Sequence, residues 1–330
     1  MPRTTASINS FVSGEFSAKL DGRTDFEKYS SGCKTLQNML VHPQGAAARR
    51  VGTQFIAEVK TSAAKTRLIP FEFSTTQTYV LEFGNNYIRF FKDKGQIFSS
   101  GSAYEISTPY LTAELFEIKF AQSADVMYLT HPNHEVMKLS RTGHTSWTLA
   151  EVAFTDGPYL SINTTSTTLT PSSASTGSRN ITASAITGIN GGVGWLATDV
   201  GRIISFNSGK AKITARTSAT VAVATVTTAF TNTDAKDDWK LGAFSDTTGH
   251  PSCVSFFEQR LVFAGTTDEP QTLYFSKSGD YENMTTGTNA DDAMVYTIAS
   301  NQVNKIRYLK AVRTLLIGTT GGEFSVSADG

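Results

Sequence analysis

The chain has 330 residues, with 29 basic and 29 acidic side chains. That length allows two or three domains and a sizeable core. The neutral balance argues against a dedicated nucleic-acid binder, which carries a clear basic excess, but not against a surface past which nucleic acid slides. Thr, Ser and Gly are abundant, Phe occurs 21 times and long helical periodicities are almost absent, an all-β composition. Cys33 and Cys253 lie far apart, fit no disulfide framework or zinc motif, and read as small buried hydrophobes. The first residues, MPRTT, have no apolar core, and no stretch reaches the roughly 20 apolar residues of a membrane span. The expectation is a soluble protein made in a cytoplasm, without signal peptide.

Residues 1–60 read as an N-terminal arm and one helix. The arm is extended through Phe11–Phe16 and ends at Asp21, Gly22 and Arg23. The helix is predicted over residues 24–40. Thr24 and Glu27 have capping-box spacing, and Phe26, Tyr29, Cys33, Leu36 and Leu40 recur at steps of three and four. Gly32 weakens it by roughly 1 kcal/mol against Ala, and Pro43 must follow its end.

From residue 61 a repeated unit takes over. Residues 68–91, 118–139, 251–276 and 305–327 each read as strand, polar break, very apolar strand, turn and alternating strand. These are β-meanders, and their central strands have the composition of strands buried inside a sheet. Repeated meanders of this size are what β-propeller blades look like; separate sandwiches are the alternative, which needs less likeness between units. Residues 61–157 are then the first part of a propeller-like body and 248–330 its continuation. Residues 158–247 differ, being dominated by Thr, Ser, Ala and Gly, with period-two alternation at 181–186 and 221–226. They read as a small β-barrel or sandwich inserted between the second and third meanders, with a thin core. The stretch 251–265 should pack against residues 68–91 and 118–139 across that insertion. Four meanders barely close a propeller, so the expectation is that the polypeptide continues or that other subunits complete the sheet.

The search for chemistry returns little. The Gly-rich run 188–194 lacks the Lys-Ser/Thr of a phosphate-binding loop and reads as a flexible loop. Glu258 has no partner for catalysis and reads as a turn residue paired with Arg260. His131 and His134 have a spacing known from metal sites, but Pro132 between them makes a turn the simpler reading. No triad, cofactor motif or metal set emerges, so neither cofactor nor metal is expected. Asp280, Glu282, Asp291 and Asp292 form an acidic group. They suit a solvated loop, a Ca²⁺ site without EF-hand spacing, or, repeated around a ring, a negative wall along which DNA passes without sticking.

The run FVSGEFSAKLDGRTDFEKYSSGCKTLQNMLVHPQGAAARRVGT at 11–53 resembles the start of the tail tubular protein B, or nozzle, family of short-tailed bacteriophages. So do LIPFEFS at 68–74, KFAQSADVMY at 119–128, HTSW at 144–147 and FFEQRLVFAGT at 256–266. The resemblance spans nearly the whole chain and is vaguest in the insert. It implies a structural, non-enzymatic virion protein, assembled in the host cytoplasm as a homohexameric tail ring around the DNA ejection channel. The implied partners are copies of itself, a tail adaptor protein, a tail fibre or spike protein and passing viral double-stranded DNA. On that reading Asp280, Glu282, Asp291 and Asp292 are candidates to line the channel. Phe16, Phe26, Tyr29, Arg49 and Arg50 are candidates for contacts with a neighbouring subunit or the adaptor. The alternative is a propeller-type tail protein that binds or cleaves glycans, with Trp147, Trp195 and Tyr281 as sugar-stacking aromatics and two carboxylates about 5–10 Å apart if it is an enzyme.

Overall fold

A computed structural model describes residues 7–327; the ends of the first and last predicted segments, 1–6 and 328–330, lie outside the described residues. The chain is all-β and divides into two compact units, residues 1–56 and 57–330. The second unit holds the four meanders and the inserted sheet.

The first meander pairs Arg67–Ser74, Gln77–Gly84 and Tyr87–Lys92, with Glu105–Ser107 added beside the last. The second runs Lys119–Ser123, Val126–His131, His134–Gly143 and Ser146–Glu151. The third runs Cys253–Phe257, Arg260–Ala264, Thr272–Phe275 and Met294–Thr297. The fourth has three strands, Ile306–Ala311, Leu315–Thr319 and Glu323–Val326. The sequence pattern identifies the first three strands of each; the fourth strands at Ser146–Glu151 and Met294–Thr297, which are mostly exposed, escape it.

Period-two alternation explains how these sheets stack. In the second meander Met127 and Leu129 point into a core shared with Ile69, Phe71, Leu81 and Phe83 of the first. Tyr128, between them, points the other way, into a core with Val254, Leu261, Phe263 and Tyr274 of the third. Val262 and Ala264 of the third then face Ile306, Leu315 and Ile317 of the fourth. Each inner sheet is buried on both faces, which is why its central strand is uninterruptedly apolar. This face-to-face succession of meanders is propeller-like. It corrects one expectation: residues 251–265 share a core with 118–139, but 68–91 lie one sheet further along.

The insert is a six-stranded antiparallel sheet, ordered Leu169–Pro171, Gly177–Ala183, Val221–Thr228, Gly209–Arg216, Ile203–Phe206 and Lys240–Leu241. Its core is less thin than its composition indicates, because Trp195, Trp239, Phe206 and Phe230 concentrate there. The Gly-rich run is pinned rather than loose. Gly188 lies against Thr165, Asn163 and Trp239, and Asn190 Nδ2 donates to Asp199 Oδ2 at 2.7 Å. Asp199 and Arg202 form a fully buried ion pair at 3.0 Å.

The helix expected over residues 24–40 does not form. A 3-10 turn at Glu27–Ser31 takes its place, followed by extended Gly32–Cys33, which pairs in parallel with Gly14–Glu15. The Phe16 ring occupies the space a Cβ at Gly32 would need, so the aromatic residues close around Phe16 instead of lining a helix face. Further on, Met39–Val41 and Ala47–Arg49 form a hairpin.

Candidate functional site

Three surfaces carry the side chains of interest. The first is the N-terminal unit. Phe16 stacks on Tyr29 with ring centroids 5.9 Å apart and meets Phe26 edge-on at 6.3 Å. The structure therefore unites three of the five residues expected at a subunit contact. Arg49 is exposed on its hairpin strand, and Arg50 Nε donates to Asn38 Oδ1 at 2.8 Å. Among residues 7–56 only Gly32 and Gly45 are buried. Val12, Met39, Leu40, Val51 and Phe55 are exposed, Phe55 to 80%. Hydrogen bonds such as Phe11 N–H to the Gly45 carbonyl (2.8 Å) and Leu36 N–H to the Glu15 carboxylate Oε2 (2.6 Å) define its shape. Without a buried apolar core they add little net stability.

The second surface is the acidic loop, which the third meander holds in place. Glu258 and Gln259 take positive φ values of 47° and 57° in the tight turn between its first two strands. Arg260 does not pair with Glu258, correcting that expectation. It is buried, and its guanidinium donates to the carbonyls of Ser276 (2.7 Å), Ala290 (2.6 Å) and Asp292 (2.7 Å). The four acids then have different surroundings. Glu282 accepts from Lys138 Nζ at 2.6 Å and from the Tyr128 hydroxyl at 3.0 Å. Asp292 is buried and accepts the Asn289 N–H at 2.9 Å; that bond, helped by Lys277, holds its carboxyl below the usual range. Asp291 pairs with Lys277 at 3.1 Å but stays exposed, as does Asp280. Only Asp280 and Asp291 thus present mainly open carboxylates.

The third surface is a cleft of about 320 Å³ between the second meander and the inserted sheet. Glu135, Glu151, Asp156, Tyr159, Lys210, Lys212, Phe154, Phe244 and His250 line it. Burial, then a hydrogen bond to Glu151, pushes the Glu135 carboxyl up to about 7. Glu135 therefore keeps its proton close to neutrality and can donate as well as accept. Asp156 accepts from the Tyr159 hydroxyl at 2.8 Å and pairs with Lys210 at 2.9 Å. Buried His250 bonds Asp246 at 2.9 Å, yet desolvation keeps its imidazole below its usual range. These donors and acceptors suit a polyhydroxylated or zwitterionic ligand. Sequence reading misses the cleft because Glu135 and Glu151 lie on different strands of one sheet, while Lys210 and Lys212 lie in the insert.

The aromatics expected to stack on sugars are not available for it. Trp147 and Trp195 are buried in separate cores, and Tyr281 packs edge-on against Phe256 at 4.9 Å. Among the described residues no helix is long and apolar enough to cross a membrane.

No protein-family model and no curated protein matches the chain. Among solved structures it is similar to BBS1N, crystallised in complex with ARL6DN, at 8% identity and a TM-score of 0.23, over 75% of this chain and 73% of that one. It is also similar to the phage phi92 endosialidase, at 10% identity and a TM-score of 0.20, over 81% of this chain and 54% of that one. Likenesses of this strength carry no argument about function.

Proposed function

We propose that the chain is a structural subunit of a bacteriophage short-tail nozzle, assembling with copies of itself into a ring around the DNA ejection channel. The observation that carries this reading is the N-terminal unit. It places Val12, Leu40, Val51 and Phe55 in solvent and, among its described residues, buries no apolar side chain of its own. Some 50 residues so exposed cannot hold a fixed shape by internal burial, and they gain stability when another surface covers them. In the nozzle reading that surface belongs to a neighbouring subunit or to the adaptor ring, and tail fibres or spikes attach to the same assembly. The channel-facing role narrows to Asp280 and Asp291, since Glu282 and Asp292 are taken up internally. No residue is assigned a catalytic role.

Mass photometry and negative-stain microscopy of the purified chain, with and without its adaptor, test the proposal. A closed ring with a central channel is expected; a persistent monomer in both samples defeats it.

A second reading, glycan binding by a phage tail protein, draws on the cleft around Glu135 and Asp156. The cleaving version needs two carboxylates roughly 5–10 Å apart, and a hydrolysis assay on any glycan that binds tests it. A glycan array without hits removes the binding version.

A further inference from the structure

The turn joining the first two meanders meets the hairpin tip of the second at three side chains of ligand type. Glu114 lies in the turn at 112–117, His131 ends Val126–His131 and His134 begins His134–Gly143. One donor atom from each falls within 4.8 Å of the other two. His134 Nε2 is 2.9 Å from Glu114 Oε2, and His131 Nε2 is 3.7 Å from Glu117 Oε2. Neighbouring donors on a tetrahedral ion with bonds of 2.0–2.1 Å stand about 3.3 Å apart, between these two values.

Unsatisfied buried atoms point to the same place. His131 is 0% exposed, and its Nε2 has no hydrogen-bond partner. The Tyr110 hydroxyl, also fully buried, has none either. The Tyr110 ring stands 5.2 Å from that of His134 and 6.1 Å from that of His131. Two orphaned polar groups beside one cluster need an explanation, because buried polar atoms rarely stay unpaired.

We propose that Glu114, His131 and His134 bind a divalent transition-metal cation of the zinc class, with Glu117 or a water completing the tetrahedron. Two imidazoles and a carboxylate favour Zn²⁺ or Co²⁺ over Ca²⁺ and Mg²⁺, which take oxygen ligands. The ion staples the 112–117 turn to the 131–134 hairpin tip, locking two successive meanders together. The site also has a local cost. His131 Nδ1 accepts the Asn133 N–H at 3.2 Å, which puts the ring proton on Nε2 in the metal-free chain. Binding at Nε2 moves that proton to Nδ1, which can then no longer accept from Asn133, so this long hydrogen bond is lost when the ion binds. Sequence reading stops at the two histidines, because the third ligand is 17 residues away from His131 (131 minus 114) in a turn with no motif of its own.

The test is titration of the chelator-treated full chain with Co²⁺, read by the visible absorption of tetrahedral cobalt, with Zn²⁺ melting curves alongside. The expected result is a tetrahedral band saturating at one equivalent. Zn²⁺ at a hundredfold excess over Kd raises the melting temperature by on the order of 5 °C. Glu114→Gln and His134→Gln, both at half-buried positions, should melt like the parent without metal yet bind on the order of tenfold or more weakly. A folded chain that shows neither band nor melting shift at submillimolar metal overturns the proposal, and a buried water then satisfies His131. Unchanged binding in both variants overturns it as well.

Discussion

The two units obey opposite rules of burial. In residues 57–327 each inner meander sends alternate side chains into two different cores, so Leu261 and Phe263 face one neighbour while Val262 and Ala264 face the other. In residues 7–56 comparable apolar residues gather around one aromatic stack, and the rest face solvent. Both segments are rich in Phe, Leu and Val, so composition does not separate them. The repeat does. A meander has similar partners on both sides to bury against, whereas the arm has no second copy of itself within the chain. Under the proposed function, that exposed apolar surface is what another molecule would cover.

The comparison breaks most visibly where a side chain is pressed between sheets. Phe263 is fully buried, with Phe154 and Phe244 edge-on at 5.7 and 5.9 Å. Phe263→Ala should cost about 3–5 kcal/mol in chemical denaturation, through lost transfer energy and a cavity. Phe16→Ala, in the arm, should cost about 1 kcal/mol or less, because that ring is only half-buried and no apolar core lies behind it. Equal losses at the two positions would erase the distinction between the units.

Arg260→Met comes next. It keeps the side chain's bulk but leaves the carbonyls of Ser276, Ala290 and Asp292 without their donor. A loss of about 2–3 kcal/mol is expected, with faster amide exchange confined to residues 289–292. Uniform loss of protection through the third meander would mean that Arg260 supports the sheet and not the loop.

How much of this is legible in the sequence follows from the same contrast. The meanders are readable because strand alternation is local and repeated four times over. The helix at 24–40 is misread because its apolar spacing is real, yet the spacing records aromatics converging on Phe16 from an irregular chain. Gly32 is the available signal: it counts mildly against a helix, and here it makes room for a ring. Proximity in sequence pairs Arg260 with Glu258, but Glu258 sits at positive φ in the tight turn while Arg260 begins the next strand and turns its guanidinium to the carbonyls of Ser276, Ala290 and Asp292. The cleft, and Glu114 beside the two histidines, cannot be read because each joins residues from separate strands and turns that only the folded sheets bring together.

A smaller effect sharpens the electrostatics of the cleft. The Glu135 carboxyl titrates near 7 in the folded chain against about 4.5 when unfolded. A raised carboxylate pKa means the folded state holds the proton more tightly, so stability is full below pH 4.5 and falls as pH rises through 7. Glu135→Gln should remove that decline, flattening the stability profile between about pH 5 and 8 by about 1 kcal/mol after allowance for solvent screening. His250 acts in the opposite sense, its lowered pKa costing stability as pH drops below about 6.5, so the variant should leave the acid limb in place. An unchanged alkaline limb would place the Glu135 proton elsewhere.

The smallest effect on folding belongs to the arm, and it is the one most informative about function. Phe55 is 80% exposed, so Phe55→Asp should shift the melting temperature of the isolated chain by less than the equivalent of about 0.5 kcal/mol. If the arm is covered on assembly, the same substitution buries an unpaired charge at the contact and should weaken ring formation on the order of tenfold or more. Measuring both quantities on one variant separates folding from assembly. A ring that forms as well from the variant as from the parent chain would leave the arm's exposed residues without a partner and remove the main support for the nozzle reading.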